Sequence, residues 1–331
     1  FVVLGFLFLA FDRERIVAVR NNLRLPFPGP SPAREPEWRF ASGAAFGLAL
    51  AVKWSSAWAL VGAGLLALMW SWSMIKMTRT KRALFSELLI AALGLIIVPT
   101  FVYTTAYSKY FIDTYGAGKT CAYVAPQPKE LKGERGRIDF GAKPGECVKG
   151  VRGTAFAFLD LHERVADYHL NLNADHAYKS KAITWPIVKR PIAYFYEGEP
   201  RSIHVLAFGN PAVWWAAIGA AIWLLYRSFG RTPFRPERLI GVAWASQYLP
   251  WLAVSRPLFF FYMTPVVPFM MIGLAAALGT LRDLGKPARW IVNIYLLIGV
   301  GALLYFFYPI IAAVGLPRNL WESRMWMKSW I

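Results

Sequence analysis

Apolar residues along this chain fall in long blocks rather than in the narrow stripe of a surface helix. Eight blocks stand out, at approximately 1–11, 40–54, 55–75, 83–105, 204–226, 239–255, 257–281 and 290–312. A helix needs roughly 20 apolar residues to cross the hydrocarbon layer of a bilayer. The blocks at 83–105, 204–226, 257–281 and 290–312 meet that length. The stretch from Phe40 to Met74 is about one and a half spans long and is interrupted by Lys53-Trp54-Ser55-Ser56. It predicts a short helix rising to the interface and a longer one returning, with a single long tilted helix as the alternative. Between the blocks lies one long polar segment, 106–203. Its first half, Gly116 to Gly153, is rich in Gly, Lys and Pro and reads as irregular. Its second half places Phe158, Leu161, Val165 and Tyr168 at helical spacing, which predicts a short helix over 156–169 along the membrane surface. The pattern is that of an all-α polytopic membrane protein. Residues 1–105 form membrane helices with the first truncated, 106–203 a loop, 204–312 four further helices and 313–331 a tail.

Composition and charge sharpen this picture. Of 331 residues, 56% are hydrophobic and only 17% charged, against about 25% charged in soluble domains. Lys+Arg is 37 and Asp+Glu 19, a net charge of +18. That excess would suggest nucleic acid in a soluble protein, but here it gathers in short connections between apolar blocks. Arg13, Arg15, Arg20, Arg24, Arg34 and Arg39 fill the first, and Lys76, Arg79, Lys81 and Arg82 the second. Arg227, Arg231, Arg235 and Arg238 fill the third, and Arg282, Lys286 and Arg289 the fourth. Positive charge in short loops marks the cytoplasmic side. The long loop and the tail then lie outside a multi-pass protein of the plasma membrane, and nucleic acid is not a partner. Phe1 sits inside an apolar run without an initiator Met, so a preceding portion is expected and residues 1–11 are not a signal peptide.

Candidate chemistry concentrates on the outer side. Cys121 and Cys147 are the two cysteines. In an oxidising compartment they would close a loop worth roughly 3–4 kcal/mol; two free thiols are the alternative. All four histidines, His162, His169, His176 and His204, lie on or beside the second half of the loop. Imidazole can hydrogen-bond a phosphate or shuttle a proton, and a structural role is equally open. No ligand spacing points to a metal. Lys53 is the one cation inside 40–75, a costly position that marks a functional candidate, unless it snorkels to the headgroups. Arg256 and Arg190 fall on the same face, and the three could grip a lipid-linked phosphate or anchor in headgroups. Trp54, Trp58, Trp185, Trp214 and Trp215 fit an aromatic belt; stacking on a sugar is the other reading. The sequence lacks a phosphate-cradling Walker A loop, a dinucleotide-binding glycine fingerprint and a zinc-protease HExxH. Its spans are nearly free of the acidic residues a proton relay uses.

These residues resemble a known family. Gly47-Leu48-Ala49-Leu50-Ala51-Val52-Lys53-Trp54-Ser55 resembles the Gly-Leu-x-x-x-x-Lys-Trp-Ser signature of the polyprenyl (dolichyl) phosphate mannose–protein mannosyltransferases. The outer loop is similar too, through Tyr168-His169, Asp175-His176, Tyr178, Ser180, Trp185-Pro186, Arg190-Pro191 and Tyr194. So are the run from Arg256-Pro257 to Tyr262 and Pro265 and the ending Trp321, Arg324-Met325-Trp326, Ser329-Trp330-Ile331. Ala177 and Ala182-Ile183 depart from the family pattern, and the cysteine-bearing insert is long. The resemblance implies a GT-C-like helical bundle of eleven spans, its long extracytoplasmic loop containing short interfacial helices. It implies transfer of mannose from polyprenyl-phosphate-mannose to Ser or Thr hydroxyls of secreted or membrane proteins, without a cofactor or metal, with the secretion translocon as a partner. The catalytic Asp-Glu pair of the family has no counterpart here and is expected upstream. Inversion at the anomeric carbon needs a base for the hydroxyl and cations for the departing phosphate. Lys53, Arg190, Arg256, His169 and His176 are the donor-phosphate candidates; Trp54, Trp185 and Tyr262 are the sugar-pocket candidates. Two rivals are a related lipid-sugar transferase acting on a glycan or lipid and a lipid-linked-sugar transporter. The transporter would show inverted repeats.

Overall fold

The computed structural model describes residues 1–21, 36–78, 81–115, 121–124, 141–143, 145–229 and 234–331. Arg24, Arg34, Arg79 and Arg231, and much of the irregular segment expected at 116–153, lie outside the described residues. The chain divides into two compact units. One comprises residues 1–100, 176–254 and 258–331; the other comprises 101–175 and 255–257.

In chain order the helices of the first unit open with α1 (Val2–Asn21), α2 (Glu37–Val52), α3 (Ala57–Thr78) and α4 (Lys81–Ala92). A π turn at Leu93–Ile97 carries α4 into α5 (Val98–Thr105), whose end belongs to the second unit. α2 begins with Glu37 in its first turn, where a carboxylate meets the positive end of the helix dipole. It stops at Lys53, whose backbone turns extended (φ −158°) while its N–H still closes on Ala49 O at 3.0 Å. Trp54–Ser56 form one 3-10 turn, and α3 follows. The Phe40–Met74 stretch is therefore two helices broken at its lone cation, not one tilted rod.

Small residues let these helices approach closely. A Cβ on Gly43 of α2 would fall on the carbonyl oxygen of Gly94 in the π turn. At the Glu37 end of α2, Arg39 is completely buried and donates from Nε to Asp12 of α1 at 2.9 Å. Its Nη1 reaches Glu87 of α4 at 3.3 Å. Phe6, Leu9, Phe46, Leu66, Trp70 and Val266 fill the main core.

The expected all-α architecture needs correction. The strands β3 (Ile192–Glu197) and β4 (Ile203–Ala207) pair antiparallel, with an irregularity between Ala193 and Phe195. The span expected to begin at 204 instead begins at α8 (Pro211–Ser228), because 202–206 alternate buried and half-exposed as a strand does. Asn210 then caps α8 by accepting the Ala212 N–H at 2.9 Å, with Pro211 in the first turn. α9 (Pro236–Tyr248) packs between α3 and α8 and ends in a 3-10 turn, Leu249–Ala253. The block at 257–281 is also not one helix. Phe260–Met263 form a 3-10 turn, and α10 (Val267–Arg282) starts only after Pro265. α11 (Lys286–Ile294) runs through a π segment, Tyr295–Ala302, into α12 (Leu303–Ile311), and α13 (Arg318–Glu322) lies in the tail. Trp54–Ser73, Phe85–Thr105 and Lys286–Ile311 are long and apolar enough to cross a membrane, and α10 is a shorter apolar helix.

In the second unit, α6 (Ser108–Tyr115) precedes a two-stranded ladder of β1 (Tyr123–Val124) and β2 (Cys147–Val148). A disulfide joins Cys121 to Cys147 beside that ladder. α7 (Gly150–Asn171) is longer than the helix expected at 156–169. His162 on α7 holds a hydrogen bond between its Nδ1 and Phe158 O at 2.7 Å, and its Nε2 lies 2.5 Å from the Tyr103 hydroxyl. Donation from Nδ1–H leaves Nε2 to accept the phenolic proton.

Candidate functional site

The break between α2 and α3 puts Lys53 where its side chain meets aromatic rings rather than helix neighbours. Its Nζ lies 3.8 Å from the centre of the Tyr262 ring, 5.6 Å from that of Phe261 and 6.0 Å from that of Trp251. An ammonium on a ring face is attracted by the ring quadrupole, worth about 0.5–2 kcal/mol depending on desolvation. Tyr262 and Trp251 stack on each other, 4.7 Å apart and 26° from parallel. Trp185 approaches both edge-on, at 6.3 Å. Its indole donates to Ser180 Oγ at 2.9 Å, and it is 1% exposed. Trp185 therefore backs the Tyr262–Trp251 pair; its own face is covered.

The loop carrying Trp185 is stitched to the segment carrying Tyr262. Ser180 N–H donates to Leu258 O at 2.8 Å, and the Tyr248 hydroxyl donates to Ala182 O at 3.1 Å. His176 accepts the Tyr178 N–H on Nδ1 at 3.1 Å and lies edge-on to Phe259 at 5.1 Å. Phe259 stacks on Phe261 at 5.7 Å and meets the edge of Tyr262 at 6.1 Å. Lys53, His176, Trp185 and Tyr262 thus gather around one aromatic wall. Trp54, half-buried, follows Lys53 in the 3-10 turn.

Arg190 of the same unit donates to three backbone carbonyls, those of Ala177, Ser329 and Ile331. Arg256 and His169 belong to the second unit, His169 on the exposed last turn of α7. The sequence alone does not single out Trp251. It is one of several tryptophans in an apolar block, and only the fold brings it under Lys53. Among the described residues no group of His, Cys, Asp and Glu is arranged to hold a metal ion.

What this arrangement offers chemically is a cation on an aromatic wall, assembled within the first unit from the Lys53 turn, Trp251, the Trp185 loop and Leu258–Tyr262. Known proteins are similar to this chain in sequence and in fold. Residues 155–330 match the model described as the C-terminal four TMM region of protein-O-mannosyltransferase. A polyprenol-phosphate-mannose–protein mannosyltransferase of Corynebacterium glutamicum is 29% identical over 88% of this chain and 58% of its own length. One of Mycobacterium tuberculosis is 24% identical over 100% of this chain and 65% of its own. The chain thus spans about three-fifths of these curated relatives. A solved Saccharomyces cerevisiae protein O-mannosyltransferase complex bound to the sugar donor superposes with a TM-score of 0.67. That match covers 98% of this chain and 73% of the other at 15% identity, a likeness of fold. With more than half of its length matched by the family model, the chain belongs to the protein O-mannosyltransferases.

Proposed function

We propose that the protein carrying this chain transfers mannose from polyprenyl-phosphate-mannose to Ser or Thr hydroxyls of proteins on the outer face of the plasma membrane. The observation that carries the reading is the Lys53 ammonium held 3.8 Å over Tyr262, both of them residues of the stretches that resemble the family. In the transfer the acceptor oxygen bonds to the anomeric carbon while the bond from that carbon to the phosphate oxygen breaks. The hydroxyl proton passes to a general base, a part the resemblance gives to an Asp-Glu pair. The bonding electrons leave with the lipid phosphate, and Lys53 meets the charge that develops there. Such stabilisation costs little reorganisation because the cation is already fixed on its rings. Tyr262 and Trp251 hold the ammonium, and Trp185 keeps both rings in place. Arg256 and His169 belong to the other unit, and the reading does not depend on them.

The test uses membranes supplied with radiolabelled lipid-linked mannose. Lys53→Ala is expected to lower turnover about a hundredfold, in the range found for losing one preorganised charge-stabilising donor. Lys53→Arg is expected to recover part of it. Wild-type turnover in Lys53→Ala would remove the proposal. Label appearing in a glycan or a lipid instead of protein would move the assignment to a related lipid-sugar transferase.

A further inference from the structure

Three consecutive residues after Trp185 are bonded one by one to residues 329–331. The Trp330 indole donates to Val188 O at 2.7 Å, and the Ser329 hydroxyl donates to Lys189 O. Arg190 Nη1 donates to Ser329 O at 2.6 Å and Ile331 O at 3.2 Å. From its other edge, Arg190 donates to Ala177 O from Nε at 3.3 Å and from Nη2 at 3.1 Å. A guanidinium has five N–H donors, and these contacts occupy most of them with backbone carbonyls. The same group lies 5.3 Å from the Tyr178 ring centre. A fork committed in this way is not presented for two-pronged capture of a phosphate.

Between these ties the backbone is strained. Val188 has φ +55°, a strained left-handed conformation that a β-branched residue rarely takes. It is fully buried, and its N–H closes on Trp185 O at 2.9 Å, so its kink ends the turn that presents Trp185. Strain of this kind persists only where the surroundings over-determine it. The surroundings here are the tail. Trp330 is 3% exposed and packs against Phe208 at 4.7 Å and Phe307 at 6.1 Å. Leu316 in the same tail exchanges hydrogen bonds with Ser202, ahead of β4.

We infer that Arg190 and residues 329–331 form a clasp that positions the Trp185–Trp251–Tyr262 wall beneath Lys53 for the donor, making Arg190 a positioning residue rather than a phosphate ligand. This rests on the reading of the Lys53 site given above. A clasp needs the Trp330 indole N–H as well as the planar fork, whereas a phosphate ligand at position 190 makes no demand on that indole.

The experiment measures donor KM and kcat, per folded protein in native membranes, for Arg190→Lys, Arg190→Ala, Trp330→Phe and the Arg190→Ala/Trp330→Phe double variant. Arg190→Lys is expected to raise donor KM about tenfold, as Arg190→Ala does, since several charge-assisted hydrogen bonds are lost. Trp330→Phe, which keeps the ring and removes the N–H, is expected to raise it too. The double variant is expected to be no worse than the more damaged single one, as for groups acting in one network. Trypsin cleavage after Lys181 or Lys189 of the solubilised protein is expected to accelerate in all four. A near-normal donor KM in Arg190→Lys, or in Trp330→Phe beside a damaged Arg190→Ala, overturns the clasp. So does a loss of folded protein with unchanged KM. Faster trypsin cleavage and raised donor KM in the four clasp variants, beside wild-type turnover in Lys53→Ala, would uphold the clasp and put the assignment of the Lys53 site at fault.

Discussion

Burial depresses the basicity of His204, whose ring is 3% exposed on β4. Its Nδ1 accepts the Trp321 indole N–H at 3.2 Å, and Tyr196 lies edge-on at 5.4 Å. Arg318, bonded to the Tyr196 hydroxyl, covers the other ring of this group. The unfolded chain takes up a proton near pH 6.5, whereas folded His204 does so only at lower pH. The stability this group contributes is therefore complete above 6.5 and is lost as pH falls toward the folded value. Protonation would also leave Trp321 without its acceptor. The melting temperature in detergent is expected to drop between pH 7.5 and 5.5, and His204→Phe is expected to flatten that drop; equal slopes would clear His204. At this scale the sequence was legible where one residue was conspicuous. Lys53 stands out as a lone cation among apolar neighbours. Arg190 stands out equally, but its partners Ser329 and Ile331 come from the far end of the chain, and no local pattern announces them.

Among elements, the break at Lys53 could be read directly, since a charge and two serines interrupt an apolar run. β4 could not, because Val205, Leu206 and Phe208 merge with the apolar residues of α8 into one block. The alternation of 202–206 is only five residues long, too short to outweigh it. Close crossings were hidden for a related reason: small residues show that helices can approach, not which ones do. Gly43 of α2 faces the Gly94 carbonyl with no space for a methyl group. Gly43→Ala is expected to cost about 1–3 kcal/mol, as overpacking does, and to lower the melting temperature. Gly219→Ala on α8, where an added Cβ meets nothing, is expected to be neutral or to stabilise by about 0.5–1 kcal/mol through helix propensity. Equal effects at the two glycines would refute the crossing.

For the molecule as a whole, charge asymmetry proposes the sides of the membrane. We propose that the four basic connections are cytoplasmic, which would put the disulfide between Cys121 and Cys147 outside. A membrane-impermeant maleimide is expected to label these cysteines on intact cells after reduction and not before. Labelling that requires permeabilised cells would reverse the topology. The helical character of the fold, the family and the blocks at 55–75, 83–105 and 290–312 were legible, because each is spread over many residues. The two hairpins and the grouping of loop and tail were not, because each depends on pairing between distant segments.

The salt link between Arg39 and Asp12 has a consequence for anyone who maps this protein by single substitutions. Removing either partner breaks a buried ion pair, at about 3–5 kcal/mol, whereas exchanging both for well-fitting apolar side chains is often harmless. A one-at-a-time survey would therefore score Asp12 and Arg39 as indispensable and invite their confusion with reaction chemistry. Their intolerance would reflect mutual neutralisation, and only paired replacement separates the two meanings.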